Sequence, residues 1–185
     1  MSSPSTRRKS RQTGMKPLAL MLLAVLALAV AWSAAPAWAD DGEPAVAGSI
    51  EVRGLSCPFC ARGLQTKIRD LAWVADVTVY VDDGRADFTV RQGRVPEVNA
   101  LQTAVRDAGF TPGTTTLRAR GQVERSGSDV LLVVGEGARL VLAAGAQRDR
   151  LLDEVGSSGR SVRVEGTAQT RGERTHVTVR SYRLL

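Results

Sequence analysis

Apolar and polar residues repeat with strand spacing and then helix spacing in the first half of the chain. Ser49–Arg53 predicts a strand, and a helix is predicted to begin at Pro58, a residue suited to the first helical position. Apolar side chains then recur at helical spacing, at Ala61, Leu64, Ile68 and Leu71. A strand followed at once by an amphipathic helix is the first unit of an α+β fold.

The next residues predict a hairpin and a second helix. Strict alternation predicts strands over 77–81 and 86–90, joined by a turn at Asp82-Asp83-Gly84. A second helical pattern opens at Pro96 and ends at Gly109, and a short strand begins at Phe110. The predicted order is β-α-β-β-α-β, which is the ferredoxin-like plan.

The second half of the chain predicts a small barrel. Strand-like runs lie at 117–124, 130–134, 139–143, 162–166 and 176–182, and one helix at about 146–155 separates the third from the fourth. This order is typical of an OB-type barrel. The fold class is therefore predicted to be α+β, a ferredoxin-like βαββαβ domain followed by a small all-β OB-like barrel.

Charge and composition change between the two halves. Residues 40–114 hold 8 basic and 11 acidic residues, whereas residues 115–185 hold 12 basic and 8 acidic ones. The Pro112–Thr116 stretch lies where the balance changes. We therefore predict a leader over 40–48 and two domains, at 49–114 and at 115–185.

The first 39 residues have the pattern of an export signal. A basic start precedes an apolar run, Leu18–Ala31, and Ala37-Trp38-Ala39 is a cleavage site of the usual type. We predict cleavage after Ala39 and a periplasmic location, with an uncleaved membrane anchor as the alternative. The segment carries 5 of the 25 basic residues and none of the 19 acidic ones, so the high pI gives no evidence for nucleic-acid binding.

Cys57 and Cys60 are the only cysteines, and they lie between the first predicted strand and helix. The predicted signal also contains all three methionines, so a thioether metal site is excluded from the mature chain. Two thiols three residues apart can hold a soft metal ion, cycle between dithiol and disulfide, or form a structural disulfide. A structural bridge is the weakest choice, because so small a loop constrains little of the unfolded chain.

The run Gly54-Leu55-Ser56-Cys57-Pro58-Phe59-Cys60 resembles the loop of the heavy-metal-associated domain family, found in copper chaperones, metal-pumping ATPase tails and periplasmic mercury-binding proteins. The usual signature is Gly-Met-x-Cys-x-x-Cys. The resemblance covers about residues 48–114 and includes Asp83-Gly84 and Ala108-Gly109-Phe110. It implies that Leu55, which replaces the usual Met, is a buried support and that Phe110 packs near the loop. Ser56 stands where zinc-selective members often place an Asp.

Two thiolates suit Cu(I) or Hg(II), which accept two sulfur ligands, whereas Zn(II) favours four ligands. We therefore predict a non-enzymatic protein that binds one Cu(I) or Hg(II) per chain through Cys57 and Cys60. Its partner would be a metal donor or acceptor protein, such as a membrane transporter, and a homodimer that shares one ion is left open. Cys60, in the first helical turn, is expected to have a stabilised thiolate, and loop-borne Cys57 is expected to open for transfer.

The alternative function is thiol–disulfide exchange by the same pair, as in a periplasmic oxidoreductase. The remaining candidate residues have simpler interpretations. His176 is predicted to be a surface residue, Trp73 to pack at a boundary, and exposed Phe59 to offer an apolar contact to a partner. Nucleic-acid binding by the arginine-rich barrel is not expected, since its only aromatic residue is Tyr182.

Overall fold

Eight strands and three helices make up residues 44–156 and 160–185, the parts of the chain that the computed structural model describes. The predicted signal, with the first residues of the predicted leader, lies outside the described residues. In chain order the elements are β1 (Val46–Arg53), α1 (Pro58–Arg69), β2 (Val74–Tyr80), β3 (Arg85–Val90), α2 (Val98–Asp107), β4 (Thr111–Ser126), β5 (Asp129–Val134), β6 (Ala138–Leu142), α3 (Ala146–Val155), β7 (Ser161–Arg171) and β8 (Arg174–Leu184). None of the helices in these ranges is long and apolar enough to cross a membrane.

The first half has the predicted ferredoxin-like arrangement. Its strands lie in the order β2-β3-β1-β4, and every neighbouring pair is antiparallel. The apolar positions of the helical patterns are buried: Leu64 and Ile68 of α1 and Leu101 of α2 are fully buried and belong to the same core cluster as Ile50 of β1. The hairpin prediction is also confirmed, with Gly84 in the turn at a φ of +59°.

The second half closes on itself. Strand β4 pairs with β5, β5 with β6, β6 with β8, β8 with β7, and β7 with β4 again. All of these pairs are antiparallel except β6 with β8, and α3 lies between β6 and β7 in the chain. The five strands therefore form a closed barrel. Leu117, Leu132 and Leu140 are among the fully buried side chains in its strands.

The predicted domain boundary lies inside β4. This strand pairs with β1 at its start and with β5 and β7 further along, so residues of the Pro112–Thr116 stretch belong to a paired strand. Pro112 and Gly113 lie opposite an irregularity in β1 at Glu51. The Glu51 carboxylate accepts a hydrogen bond from the Thr114 backbone N–H at 3.3 Å. Turn-type residues here mark a bulge. The buried apolar residues of both halves form one core cluster.

Strand β1 begins at Val46, inside the predicted leader (40–48). Gly48 weakens the strand pattern in the sequence, but it is a site of close packing. A Cβ atom there would lie 2.6 Å from Leu117 Cδ2 and 2.7 Å from Phe88 Cζ. The missing side chain therefore lets the core close over β1.

Hydrogen bonds from the β7–β8 hairpin fix the start of α2. The N-cap residue Glu97 makes no side-chain capping bond, and Thr170 Oγ1 accepts from the Val98 backbone N–H at 2.9 Å in its place. Buried Thr175 donates its hydroxyl to the Pro96 carbonyl at 2.5 Å. Helix α2 begins two residues after Pro96, and the barrel is attached to the ferredoxin-like part by these two hydrogen bonds as well as by β4.

The barrel lies at the end of β1 away from the cysteines. Arg53, at the cysteine end of β1, pairs with Thr111 at the start of β4, while Val46 at the other end pairs with Ala119. The part of β4 that pairs with the barrel strands β5 and β7 begins at Thr116. The loop that carries the cysteines therefore faces away from the barrel.

Candidate metal centre

The cysteine loop, Gly54–Cys57, connects β1 to α1. Gly54 has a φ of +86°, a left-handed conformation that glycine adopts without strain. Leu55 is only 9% exposed and packs in the core, as the resemblance implied for this position. One buried leucine thus anchors a loop whose following residues reach the surface.

The two sulfur atoms lie together at the start of α1. Cys57 is the N-cap residue, and its Sγ accepts a hydrogen bond from the Cys60 backbone N–H at 3.3 Å. The Cys60 thiol also donates to Cys57 Sγ, at a sulfur–sulfur distance of 2.6 Å. Both residues are free thiols, Cys57 half-buried and Cys60 exposed. The pair is therefore preformed and accessible to an ion or to another protein.

Hydrogen bonding makes the two thiols unequal. The side-chain hydrogen bond from Cys60, and then the Cys60 backbone N–H, lower the pKa of Cys57 below its usual value. The same side-chain bond raises the pKa of Cys60. The expectation that Cys60 would hold the stabilised thiolate is therefore corrected, because Cys57 accepts hydrogen bonds from both the Cys60 thiol and the Cys60 backbone N–H. Cys57 ionises first.

We expect Cys57 to be alkylated before Cys60 when reduced, metal-free protein is treated with iodoacetamide at pH 7, because the thiolate is the reacting form. Both alkylation rates should fall as the pH is lowered and the thiolates are protonated, whereas the preference for Cys57 should fade as the pH rises through the raised pKa of Cys60 and both thiols ionise. In Cys60→Ala the main donor is lost, so the pKa of Cys57 should rise and its alkylation at pH 7 should slow. Peptide mass spectrometry across pH 5–9 measures both rates.

Cys60→Ser is the matched control for this prediction. Serine keeps a hydroxyl donor next to Cys57, so the alkylation rate of Cys57 should stay closer to that of the unaltered protein than in Cys60→Ala. Equal Cys57 rates in all three proteins at every pH would show that the Cys60 side chain does not tune this thiol.

The two sulfurs are the donors that a two-coordinate soft ion accepts. Cys60 is held in α1, whereas Cys57 is the N-cap residue at the end of the loop, and its sulfur accepts the capping bond. Metal entry would displace the thiol proton that lies between the sulfurs.

The surface around the thiols combines one apolar side chain with basic residues. Phe59 is 82% exposed, and Arg53, Arg62 and Ser56 are exposed as well. The exposure predicted for Phe59 is thus confirmed, while its contact with a partner stays a prediction. Phe110 is half-buried against the core, and its expected role in limiting water at the loop also stays a prediction.

The other candidate residues lie away from the cysteines. His176 is half-buried in β8 beside Val141 of the barrel. Trp73 is buried, and its ring meets that of Phe88 edge-on at 5.5 Å, which agrees with a packing role. Within residues 44–156 and 160–185, no group of three or more His, Cys, Asp or Glu side chains is placed to hold a metal ion.

A separate cavity of about 540 Å³ lies at the junction of the ferredoxin-like part and the barrel. It is lined by Trp73, residues 93–95 and 97, the first turn of α2 and the β7–β8 hairpin. Local sequence patterns do not predict this junction, because Thr170 and Thr175 contact the start of α2 from more than 70 residues away in the chain. Neither cysteine lines this cavity, so the dithiol remains a surface site.

Comparison with known proteins gives matches of fold over part of the chain. No protein-family model matches the sequence, and no curated protein matches it. Among solved structures, a copper-binding domain of the P-type ATPase HMA7 is 22% identical, covers 37% of this chain and 90% of its own, and has a TM-score of 0.34. A putative copper-ion-binding protein from Bacillus anthracis str. Ames is 21% identical over 38% of this chain and 100% of its own, with a TM-score of 0.34.

Oxidized MerP from Ralstonia metallidurans CH34 is 24% identical over 37% of this chain and 96% of its own, again with a TM-score of 0.34. These structures are of the kind that the cysteine motif resembles, and they correspond to little more than a third of the chain. The heavy-metal-associated resemblance of this chain is therefore a likeness of one part.

Proposed function

We propose that this chain is an exported, non-enzymatic protein that binds one Cu(I) or Hg(II) through Cys57 and Cys60 and holds the ion or passes it to another protein. The observation that carries the proposal is the pair of free thiols at the N-terminus of α1, with the pKa of one already lowered. Two thiolates suit soft ions that accept two sulfurs, and within the described residues no third His, Cys, Asp or Glu side chain is grouped with them. The ion is the cargo of the protein.

The placement of each cysteine supports transfer as well as binding. Cys60 lies within the helix, and Cys57 lies at the end of the loop that buried Leu55 anchors. A ligand on a loop can release its bond while the helix-borne ligand keeps the ion. An incoming thiolate from a partner can then replace Cys57 without the ion leaving sulfur. Exposed Phe59 beside the pair is a surface that a partner's apolar side chain could cover.

The partner is proposed to be a metal donor or acceptor protein, such as a membrane transporter, in or facing the periplasm. The barrel is proposed to be OB-like, and its position away from the cysteine loop leaves that loop accessible. Nucleic acid is not proposed as a partner of the barrel. The Tyr182 hydroxyl donates to Glu154 at 2.8 Å, so this aromatic side chain is held by α3.

An anaerobic titration of the reduced protein against a competing chelator tests the proposed function. Cu(I) and Hg(II) should each bind tightly at one ion per chain, and Zn(II) should bind far more weakly because the site offers two of the four ligands it favours. A ratio of one ion to two chains, with a matching mass increase, would show that two protomers share the ion. Loss of both soft ions to a modest chelator would contradict the proposal.

Thiol–disulfide exchange is the second candidate, and the lowered pKa of Cys57 favours it. In that reaction the Cys57 thiolate would attack a substrate disulfide, releasing one substrate thiolate and forming a mixed disulfide. Cys60 would then attack the Cys57 sulfur and release the second thiol, leaving a Cys57–Cys60 disulfide. Catalytic turnover of a model disulfide with a regenerating reductant, together with weak binding of Cu(I), would favour this candidate over metal binding.

A further inference from the structure

The indole N–H of Trp73 is a buried donor without an acceptor among the described residues. Trp73 lies between α1 and β2 and is only 4% exposed, and its Nε1 atom makes no hydrogen bond to any described residue. A buried polar group without a partner costs free energy, and the large majority of such groups in proteins are satisfied. The indole nitrogen can only donate, so the partner that it lacks is a hydrogen-bond acceptor.

Trp73 lines the cavity of about 540 Å³ at the junction of the ferredoxin-like part and the barrel. Pockets that bind small molecules usually measure about 300–1,000 Å³, so this cavity has the volume of such a site. Ala72, Val95 and Ala100 add apolar side chains to the lining. Small-molecule sites are typically apolar pockets with a few placed polar groups, and the Trp73 N–H is such a group.

Two threonines connect the walls of the cavity. Thr170 and Thr175, which both line it, belong to the β7–β8 hairpin. Thr170 Oγ1 accepts from the Val98 backbone N–H at 2.9 Å, and the Thr175 hydroxyl donates to the Pro96 carbonyl. The hairpin and the start of α2 are thus held together in the protein alone, and a preformed site loses less freedom on binding.

Three exposed charged residues also line the cavity: Arg94, Glu97 and Glu173. No hydrogen bond or ion pair joins any of their side chains to another residue in the described ranges. Two carboxylates favour an ammonium group, and a guanidinium favours a carboxylate. The lining therefore matches a ligand that carries both charges.

We propose that this cavity binds a small amino-acid-like zwitterion with an apolar side chain. The ligand carboxylate accepts the Trp73 indole N–H and faces Arg94. The ligand ammonium faces Glu97 and Glu173, and its side chain packs against the apolar lining. Neither cysteine lines the cavity, so this site is separate from the proposed metal binding and independent of it.

Nitrogen-15 NMR of the labelled, metal-free protein tests the site through the donor itself. The Trp73 indole signal is identified as the one that is absent from Trp73→Phe. The probes are L-phenylalanine, 3-phenylpropanoate, which lacks the ammonium, and 2-phenylethylamine, which lacks the carboxylate. We expect L-phenylalanine to shift the Trp73 signal downfield to saturation. Phenylethylamine should bind roughly tenfold more weakly, because it loses the hydrogen bonds to a charged acceptor.

Charge-removing variants test the ammonium end of the site. Glu97→Gln with Glu173→Gln should lower the affinity for L-phenylalanine by about threefold to tenfold, as the loss of two exposed ion pairs predicts, and should not weaken binding of 3-phenylpropanoate. The matched control is Glu165→Gln, which removes an exposed carboxylate of β7 that does not line the cavity. It should keep the affinity of the unaltered protein.

Calorimetry on Trp73→Phe measures the contribution of the indole N–H, and binding of L-phenylalanine should weaken roughly tenfold. If circular dichroism shows this buried variant to be unfolded, the variants at exposed Glu97 and Glu173 decide. The proposal is overturned if L-phenylalanine leaves the Trp73 signal unchanged or if the three compounds bind equally. It is also overturned if Glu165→Gln loses as much affinity as the double variant.

Discussion

Replacing Cys57 and Cys60 together with serine will remove tight Cu(I) and Hg(II) binding and leave the fold intact. The two thiols are the soft donors of the site, and hydroxyls are poor ligands for soft ions. Loss of a supporting residue around a metal site already costs about 10–100-fold in affinity, so loss of both ligands should exceed roughly 100-fold. Competition with a chelator measures the affinity, and circular dichroism with the fluorescence of buried Trp73 reports the fold.

Ser56→Ala is the matched control for this prediction, since it removes an exposed hydroxyl from the same loop and leaves both sulfurs in place. It should keep the affinity of the unaltered protein. Each single cysteine variant should lose most of the binding, because one thiolate remains. Affinity retained by the double serine variant would place the metal site elsewhere in the chain.

The second large effect is expected from Gly121→Ala, which should lower the free energy of unfolding by about 3 kcal/mol, the upper end of the usual cost of overpacking. Gly121 lies where β4 is paired with both β5 and β7. A Cβ atom there would come into contact with the backbone carbonyl of Val133, closer than real Cβ atoms approach. A neighbouring backbone cannot rotate away as a side chain can, so the barrel must distort. Urea denaturation followed by circular dichroism measures the change.

The same substitution at Gly63 provides the comparison. Gly63 lies within α1, and no atom beyond its own helix turn and chain neighbours lies within 4 Å of an added Cβ. Gly63→Ala should therefore stabilise the protein by about 0.4–1 kcal/mol, because alanine loses less conformational freedom on folding. If Gly121→Ala proved as harmless as Gly63→Ala, the close approach of β4 and β5 at this point would be wrong.

The order of helices and strands was predictable from local patterns. The helical spacing of Leu64 and Ile68 and the alternation around Phe88 require only that one face of each element be buried, and that face is buried in the structure. Local patterns failed where partners distant in the chain decide the structure. Gly48 marks close packing against Leu117 and Phe88, and Pro112 marks a bulge in a strand that continues to Ser126.

The candidate site was predictable in its residues but not in its electrostatics. Cys57, Cys60 and buried Leu55 follow from the motif and its place between a strand and a helix. Which thiol ionises first depends on the N-cap hydrogen bond and the donor on Cys60, and these are properties of the folded loop.

X-ray absorption at the copper edge, on protein loaded anaerobically with one equivalent of Cu(I), tests the central claim most directly. The proposed site predicts two sulfur neighbours for each copper, both lost when Cys57 and Cys60 are replaced by serine. A spectrum with only nitrogen or oxygen neighbours, or one unchanged in the double serine variant, would contradict binding by this pair.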